Sequence, residues 1–154
     1  MSNLTNLKEL DLNGNQISDI SPLRNLNDIN ILSGLENLEV LYLYGNQIKN
    51  INALNALTNL SELYLYRNQI SDISALNRMI NLKKLSLAEN QIIDISSLGG
   101  LLNLMYLDLA DNRISDISAL SELTKLTYLD LSHNQISDYS PVEDLGINEF
   151  YNYE

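Results

Sequence analysis

Asn46, Asn68, Asn90, Asn112 and Asn134 fall at intervals of 22 residues, and each sits in the same frame. The frame reads Leu-x-x-Leu-x-Leu-x-x-Asn-x-Ile-x-x-Ile-x-x-Leu-x-x-Leu. For Asn68 its apolar positions are Leu60, Leu63, Leu65, Ile70, Ile73 and Leu76, with Met79 replacing the last leucine. For Asn112 they are Leu104, Leu107, Leu109, Ile114, Ile117, Leu120 and Leu123. A unit this short cannot bury an apolar face alone, so successive units must stack and share one core.

The spacing within a unit dictates its shape. Leu63 and Leu65 are two apart, so they point to one side of a short strand and Tyr64 points to the other. After the asparagine, apolar residues come every third position, which suits 3₁₀ or irregular backbone rather than α-helix. The expected architecture is an α/β solenoid, a right-handed superhelix with a parallel sheet on the concave face and 3₁₀ or irregular segments on the convex face. The asparagines Asn15, Asn46, Asn68, Asn90, Asn112 and Asn134 are expected to form a structural ladder. Where the chain turns out of the strand its backbone groups face inward, and a carboxamide carries both the donor and the acceptor needed to satisfy them.

The convex phrase Asn-Gln-Ile-Ser-Asp-Ile-Ser-Ala/Pro-Leu occurs from Asn15 to Leu23, from Asn68 to Leu76 and, with Arg113 for Gln, from Asn112 to Leu120. In this wording the chain resembles the 22-residue leucine-rich-repeat class of bacterial internalins, over Leu4 to Leu145. The repeat length is also similar to that of the leucine-rich regulatory subunit of protein phosphatase 1. The internalin resemblance implies attachment to a bacterial surface and binding of a host protein. The motif is specific for fold and says little about partner.

Residues 1–154 are expected to form a single leucine-rich-repeat domain with two irregularities. From Asn15 to Asn46 the interval is 31 rather than 22, giving an irregular repeat over 15–45. The phrases Asp19-Ile20-Ser21-Pro22-Leu23 and Asp28-Ile29-Asn30-Ile31-Leu32 stand back to back, as though one strand and its Asn turn were missing. Strand Leu10–Leu12 should still pair with Leu41–Leu43. The surplus at 21–34 should loop or coil on the convex side, with Ser21 capping and Pro22 first. At the other end the frame breaks after Val142 and Leu145, and Ile147 and Phe150 are candidates for a small cap within 140–154. No amphipathic cap precedes Leu4, Leu7 and Leu10, which leaves self-association through that edge as an expectation.

Charge and composition exclude several functions. Twenty acidic residues stand against nine basic ones, a formal net charge of −11. Neutralising phosphates requires clustered Lys and Arg, so no nucleic-acid partner is expected, and an anionic membrane surface is disfavoured for the same reason. A basic or amphipathic protein would be steered in. There is no cysteine, hence no disulfide framework and no thiolate metal site. No apolar stretch has the length of a membrane span, and Met1 to Thr5 lacks the start of a signal peptide. Read as it stands the chain is cytoplasmic; as a piece of a larger internalin-like protein it would be at the cell surface or secreted.

Catalysis and cofactors find no residues to support them. His133, the sole histidine, lies near Asp111 and Asp130 without a recognisable nucleophile. There is no phosphate-cradling glycine loop. Asp19, Asp72, Asp94, Asp116 and Asp138 recur four residues after the asparagines, an oxygen-bearing row that raises the question of calcium. One carboxylate per coil, about 4.8 Å apart, makes no Asp-x-Asp cage, so no metal is assigned and the row reads as turn-forming. Asn3-Leu4-Thr5 and Asn59-Leu60-Ser61 match glycosylation acceptors, a weak signal.

The candidate site is the outward side of the strands, where six of the nine tyrosines fall. Tyr42, Tyr44, Tyr64 and Tyr66 should form a two-by-two block, and Tyr106 and Tyr128 a second pair beside Asp108 and Asp130. Arg67 and Lys84 are expected to set charge preference with the aspartates. Tyrosine joins broad apolar contact to a polar tip and loses little rotamer freedom when a partner arrives. It is also simply a good strand residue whose rings support the sheet. These residues point to a non-catalytic protein-protein interaction module, with protein identity unknown. An intracellular regulatory scaffold, and a structural or engineered solenoid without a dedicated ligand, remain open alternatives.

Overall fold

The computed structural model describes residues 6–23, 35 and 37–153. Among the described residues, seven three-residue strands form one parallel sheet in strict chain order. They are β1 (Glu9–Asp11), β2 (Val40–Tyr42), β3 (Glu62–Tyr64), β4 (Lys84–Ser86), β5 (Tyr106–Asp108), β6 (Tyr128–Asp130) and β7 (Glu149–Tyr151). Each coil returns to the next strand through the convex side, where 3₁₀ helices run over Asn52–Ala56, Ser74–Arg78, Ser96–Leu98, Ser118–Leu120 and Ser140–Val142.

The three-residue spacing of the convex side has a direct cause. Leu54 N–H donates to Ile51 O, Leu57 N–H to Leu54 O and Leu60 N–H to Leu57 O, at 2.9, 2.9 and 3.2 Å. Each turn spans three residues, so Ile51, Leu54, Leu57 and Leu60 all face inward and all are buried. Ile73, Leu76, Met79 and Leu82 repeat the pattern one coil on, and Met79 fills the leucine place with no exposure. Together with Leu63, Leu65 and their equivalents, these rows make one continuous core.

The asparagines hold the corner between strand and convex segment. Asn68 Nδ2 donates to Leu65 O of its own coil and to Leu43 O of the coil before, while its Oδ1 accepts Ile48 N–H. Asn46, Asn90, Asn112 and Asn134 repeat the arrangement. Each one reaches back one coil. Asn15 differs: it is exposed and, among the described residues, donates to Leu12 O and Asn13 O of its own coil.

The convex aspartates cap their own turns. Asp72 Oδ1 accepts Ser74 N–H at 2.8 Å, and Asp94, Asp116 and Asp138 do the same for Ser96, Ser118 and Ser140. In the second coil Asn50 takes this part for Asn52. Ser21 was expected to cap the turn at Pro22, but Ser21, Pro22 and Leu23 form the turn itself and Asp19 accepts both the Ser21 N–H and its hydroxyl. The rest of the expected convex segment, 24–34, lies outside the described residues, as does Leu4.

Despite the long interval, β1 pairs with β2 in register, Leu10 opposite Leu41 and Asp11 opposite Tyr42. At the other end the cap candidates Ile147 and Phe150 lie in one further coil laid against the last regular one. Phe150 takes the leucine position of a seventh strand opposite Leu129, and Ile147 packs where Leu126 sits one coil earlier. This coil is one residue shorter, 21 from Leu129 to Phe150. Gly146, at φ +66°, turns the chain within that shorter length.

Candidate functional site

The register of the sheet sets its outward side chains in three columns. The first runs Glu9, Val40, Glu62, Lys84, Tyr106, Tyr128, Glu149. The second runs Asp11, Tyr42, Tyr64, Ser86, Asp108, Asp130, Tyr151. Two residues beyond lies the third: Asn13, Tyr44, Tyr66, Ala88, Ala110, Ser132, Tyr153. Parallel strands in register bring like residues side by side, so rings at the same column must stack. Tyr42 and Tyr64 do so at 4.9 Å between centroids and 8° between planes, Tyr44 and Tyr66 at 4.3 Å and 10°. Tyr106 and Tyr128 stack at 4.2 Å and 12°.

All six of these rings are half-buried rather than tucked inside. Their packing against the sheet lifts the phenol pKa of Tyr42, Tyr64, Tyr66, Tyr106 and Tyr128 above its ordinary value, through desolvation first. Tyr64 is raised further because its hydroxyl donates to Glu62 Oε2 at 2.7 Å. Tyr42, Tyr64, Tyr66, Tyr106 and Tyr128 therefore stay neutral donors across ordinary pH.

The charged residues divide into paired and unpaired. Lys84 Nζ lies 3.1 Å from Glu62 Oε1, and Arg67 Nε donates to both Glu89 oxygens at 2.8 and 3.0 Å. Burial draws the Glu62 carboxyl upward, but hydrogen bonds from Tyr64 and Lys84 hold it below the usual range. Arg67 and Lys84 were expected to set charge preference; each is already engaged by a glutamate of this chain. Asp108 and Asp130 have no cationic neighbour among the described ion pairs. Asp108 Oδ2 accepts the Ser86 hydroxyl and Oδ1 the Ala110 N–H, yet burial, with Asp130 and Asp111 adding repulsion, pushes its carboxyl upward.

A hollow of about 580 Å³ opens over this surface, lined by Tyr42, Tyr44, Tyr64, Tyr66, Arg67, Ser86, Ala88, Glu89, Tyr106 and Asp108. A hollow of similar size, about 530 Å³, lies on the convex side around Ile93, Gly99 and Ala119. Its two carboxylates, Asp94 and Asp116, are already committed to their serine N–H groups, and it holds no aromatic side chain. The concave hollow, by contrast, is lined by five tyrosines.

Sequence reasoning missed two members of this face. Tyr151 lies 5.6 Å from Tyr128 and 6.1 Å from Tyr153 between ring centroids, so the aromatic surface runs on to β7. The signal was present in Ile147-x-x-Phe150, which matches Leu126-x-x-Leu129 once a shift of one residue is allowed. Tyr139 sits apart, edge-on to Phe150 at 5.9 Å. Among the described residues no group of three or more His, Cys, Asp or Glu is placed to hold a metal ion, and no helix is long and apolar enough to cross a membrane.

Stacked short strands, period-three convex turns and a bridging asparagine in every inner coil define a leucine-rich-repeat solenoid. Residues 5–55 and 36–78 match the family model described as leucine-rich repeats in two copies, and residues 80–136 match a further leucine-rich-repeat model. The chain is similar to an internalin (InlF) of Listeria monocytogenes, at 35% identity and a TM-score of 0.89, covering 97% of this chain and 42% of that one. It is similar to an internalin C2 of the same organism, at 36% identity and a TM-score of 0.75, covering 95% and 71%. A leucine-rich-repeat protein of Leptospira interrogans matches at 28% identity and a TM-score of 0.81, covering 95% and 37%. No curated protein matches the chain. The chain belongs to the leucine-rich-repeat family, in its internalin-like class. It spans less than half the length of the internalin InlF. Proteins of this family are in general protein-interaction modules and typically not catalytic.

Proposed function

We propose that this chain is a non-catalytic recognition module that binds a protein partner on its concave face. The observation that supports this reading is the open block of stacked rings, Tyr42 on Tyr64 and Tyr44 on Tyr66, bordering the concave hollow. Such rings are rigid before contact, so a partner that covers them gains apolar burial and cation–π or hydrogen-bond contact without ordering a loop. Tyr106, Tyr128, Asp108 and Asp130 extend the face, with Arg67 and Lys84 at its border. The asparagine ladder, Asn15 aside, supports the sheet that presents these residues.

The test is comparative affinity capture with mass spectrometry. The double variant Tyr42→Ala/Tyr64→Ala should lose a protein retained by the wild-type chain, by at least about tenfold, as expected when central aromatic anchors are removed. The convex variant Asp94→Asn/Asp116→Asn should retain it. Capture that is equal for all three chains would remove the concave face from consideration.

A further inference from the structure

The concave columns change character at β4. Tyr64 and Tyr66 give way to Ser86 and Ala88, and the next coils continue small with Ala110 and Ser132. Ser86, Ala88 and Ser132 are buried beneath this floor at 3, 8 and 4% exposure. The register sets rings on three sides of it: Tyr64 and Tyr66 on one, Tyr151 and Tyr153 on the other, and the Tyr106–Tyr128 stack in the neighbouring column. Within the basket the charged groups are carboxylates, Asp108, which accepts the Ser86 hydroxyl, and Asp130, which accepts the Ser132 N–H, with Asp111 two coils from Arg67 at the border. Among the described residues, Lys84 is held by Glu62 and Arg67 by Glu89, and neither pairs with them.

Aromatic walls over carboxylates have one natural complement. Ring faces carry negative π density and attract a cation lying against them. A carboxylate partly removed from water and lacking a counter-charge gains most from a charge-assisted hydrogen bond. An anionic or purely apolar side chain placed here would leave Asp108 and Asp130 uncompensated. Over Ser86 and Ala88 the small side chains leave the concave hollow open as far as Tyr106 and Asp108.

Resting on the concave-face reading above, we infer that this basket takes a cationic side chain, Arg or Lys, presented by an extended polypeptide segment of the partner. The stem lies along Tyr106 and Tyr128 and the charged head meets Asp108 and Asp130. The partner is thus a protein with an exposed basic segment, and the remaining tyrosine block, Tyr42 to Tyr66, contacts its flanking residues.

Panning a random displayed-peptide library on the folded chain tests this without knowing the partner. The selected peptides should be enriched in Arg or Lys. Their binding should weaken about tenfold or more with Asp108→Asn/Asp130→Asn, the loss of a desolvated cation–carboxylate contact. It should stay within about twofold with Asp94→Asn/Asp116→Asn, which changes net charge equally on the convex side. Tyr106→Leu/Tyr128→Leu, which keeps bulk and charge but removes the ring faces, should also weaken it. Equal weakening by the two aspartate pairs would show that net charge alone selects cations and overturn the inference. So would an empty selection. Selected peptides without cation enrichment that are lost on Tyr42→Ala/Tyr64→Ala would overturn it while leaving the concave-face reading intact. Peptides indifferent to every concave substitution would overturn both.

Discussion

Asn68 reaches back across the coil boundary to hold Ile48, its Oδ1 accepting the Ile48 N–H at 3.0 Å in a buried setting. The same side chain also donates to Leu43 O and Leu65 O at 3.0 and 2.9 Å. One carboxamide therefore completes three backbone groups that water cannot reach, in two coils at once. Asn68→Ala should lower unfolding free energy by about 1–3 kcal/mol, because those groups are left unpaired. Asn15→Ala should cost under about 0.5 kcal/mol, since Asn15 is exposed and its bonds among the described residues lie within its own coil. Urea unfolding of both variants checks this; equal losses would contradict the bridging role.

His133 holds a left-handed backbone at φ +55°, in line with Arg67, Glu89 and Asp111 of the preceding coils at 57, 52 and 53°. The first two coils place Gly14 and Gly45 at this corner. A side chain there costs about 1–2 kcal/mol, partly offset by the greater freedom glycine has when unfolded. His133→Gly should raise stability by about 0.5–1 kcal/mol, and His133→Val should lower it. Thermal melts of the two variants give the comparison, and a loss in the glycine variant would count against backbone strain at this position.

The convex aspartates predict acid sensitivity. Hydrogen bonds from the serine two residues on hold the carboxyls of Asp19, Asp72, Asp94, Asp116 and Asp138 below the ordinary value. A depressed folded pKa means the unfolded chain binds these protons first. The five carboxylates thus favour the fold above about pH 4, and that contribution is lost as pH falls through their lower folded values. Replacing all five by Asn, which Asn50 shows can fill the same turn, should flatten the fall in melting temperature below pH 4. An unchanged acid limb would place the sensitivity elsewhere.

Asp108 should respond with the opposite sign. Burial raises its folded pKa, so its ionised form opposes folding at neutral pH and the penalty fades as pH falls through that raised value. Asp108→Asn keeps an acceptor for Ala110 N–H and should melt above wild type at pH 7. The advantage should vanish by about pH 3, where both side chains are neutral. A variant that melts lower at pH 7 would mean the carboxylate charge supports the fold.

The 22-residue frame made most of this molecule legible, and for a physical reason. Leu63, Leu65 and Ile70 must face inward in every coil, so burial imposes the same spacing each time, and the stacked tyrosines followed from the register. Two features depended on local geometry that the frame does not encode. The shorter last coil at Gly146 shifted Ile147 and Phe150 by one residue, hiding β7 together with Tyr151 and Tyr153. The pairing of Arg67 with Glu89 and of Lys84 with Glu62 joins neighbouring coils, so it became visible only once the strands were in register. That pairing turned a face of mixed charge into one with unmatched carboxylates.

Tyrosine nitration read by mass spectrometry, on the chain alone and with a captured partner bound, probes the concave face most directly. Tyr42, Tyr44, Tyr64, Tyr66, Tyr106 and Tyr128 should become protected on binding, while Tyr139, edge-on to Phe150 away from the face, keeps its reactivity. Protection confined to Tyr139, or none at the six concave rings, would contradict recognition through the strand face.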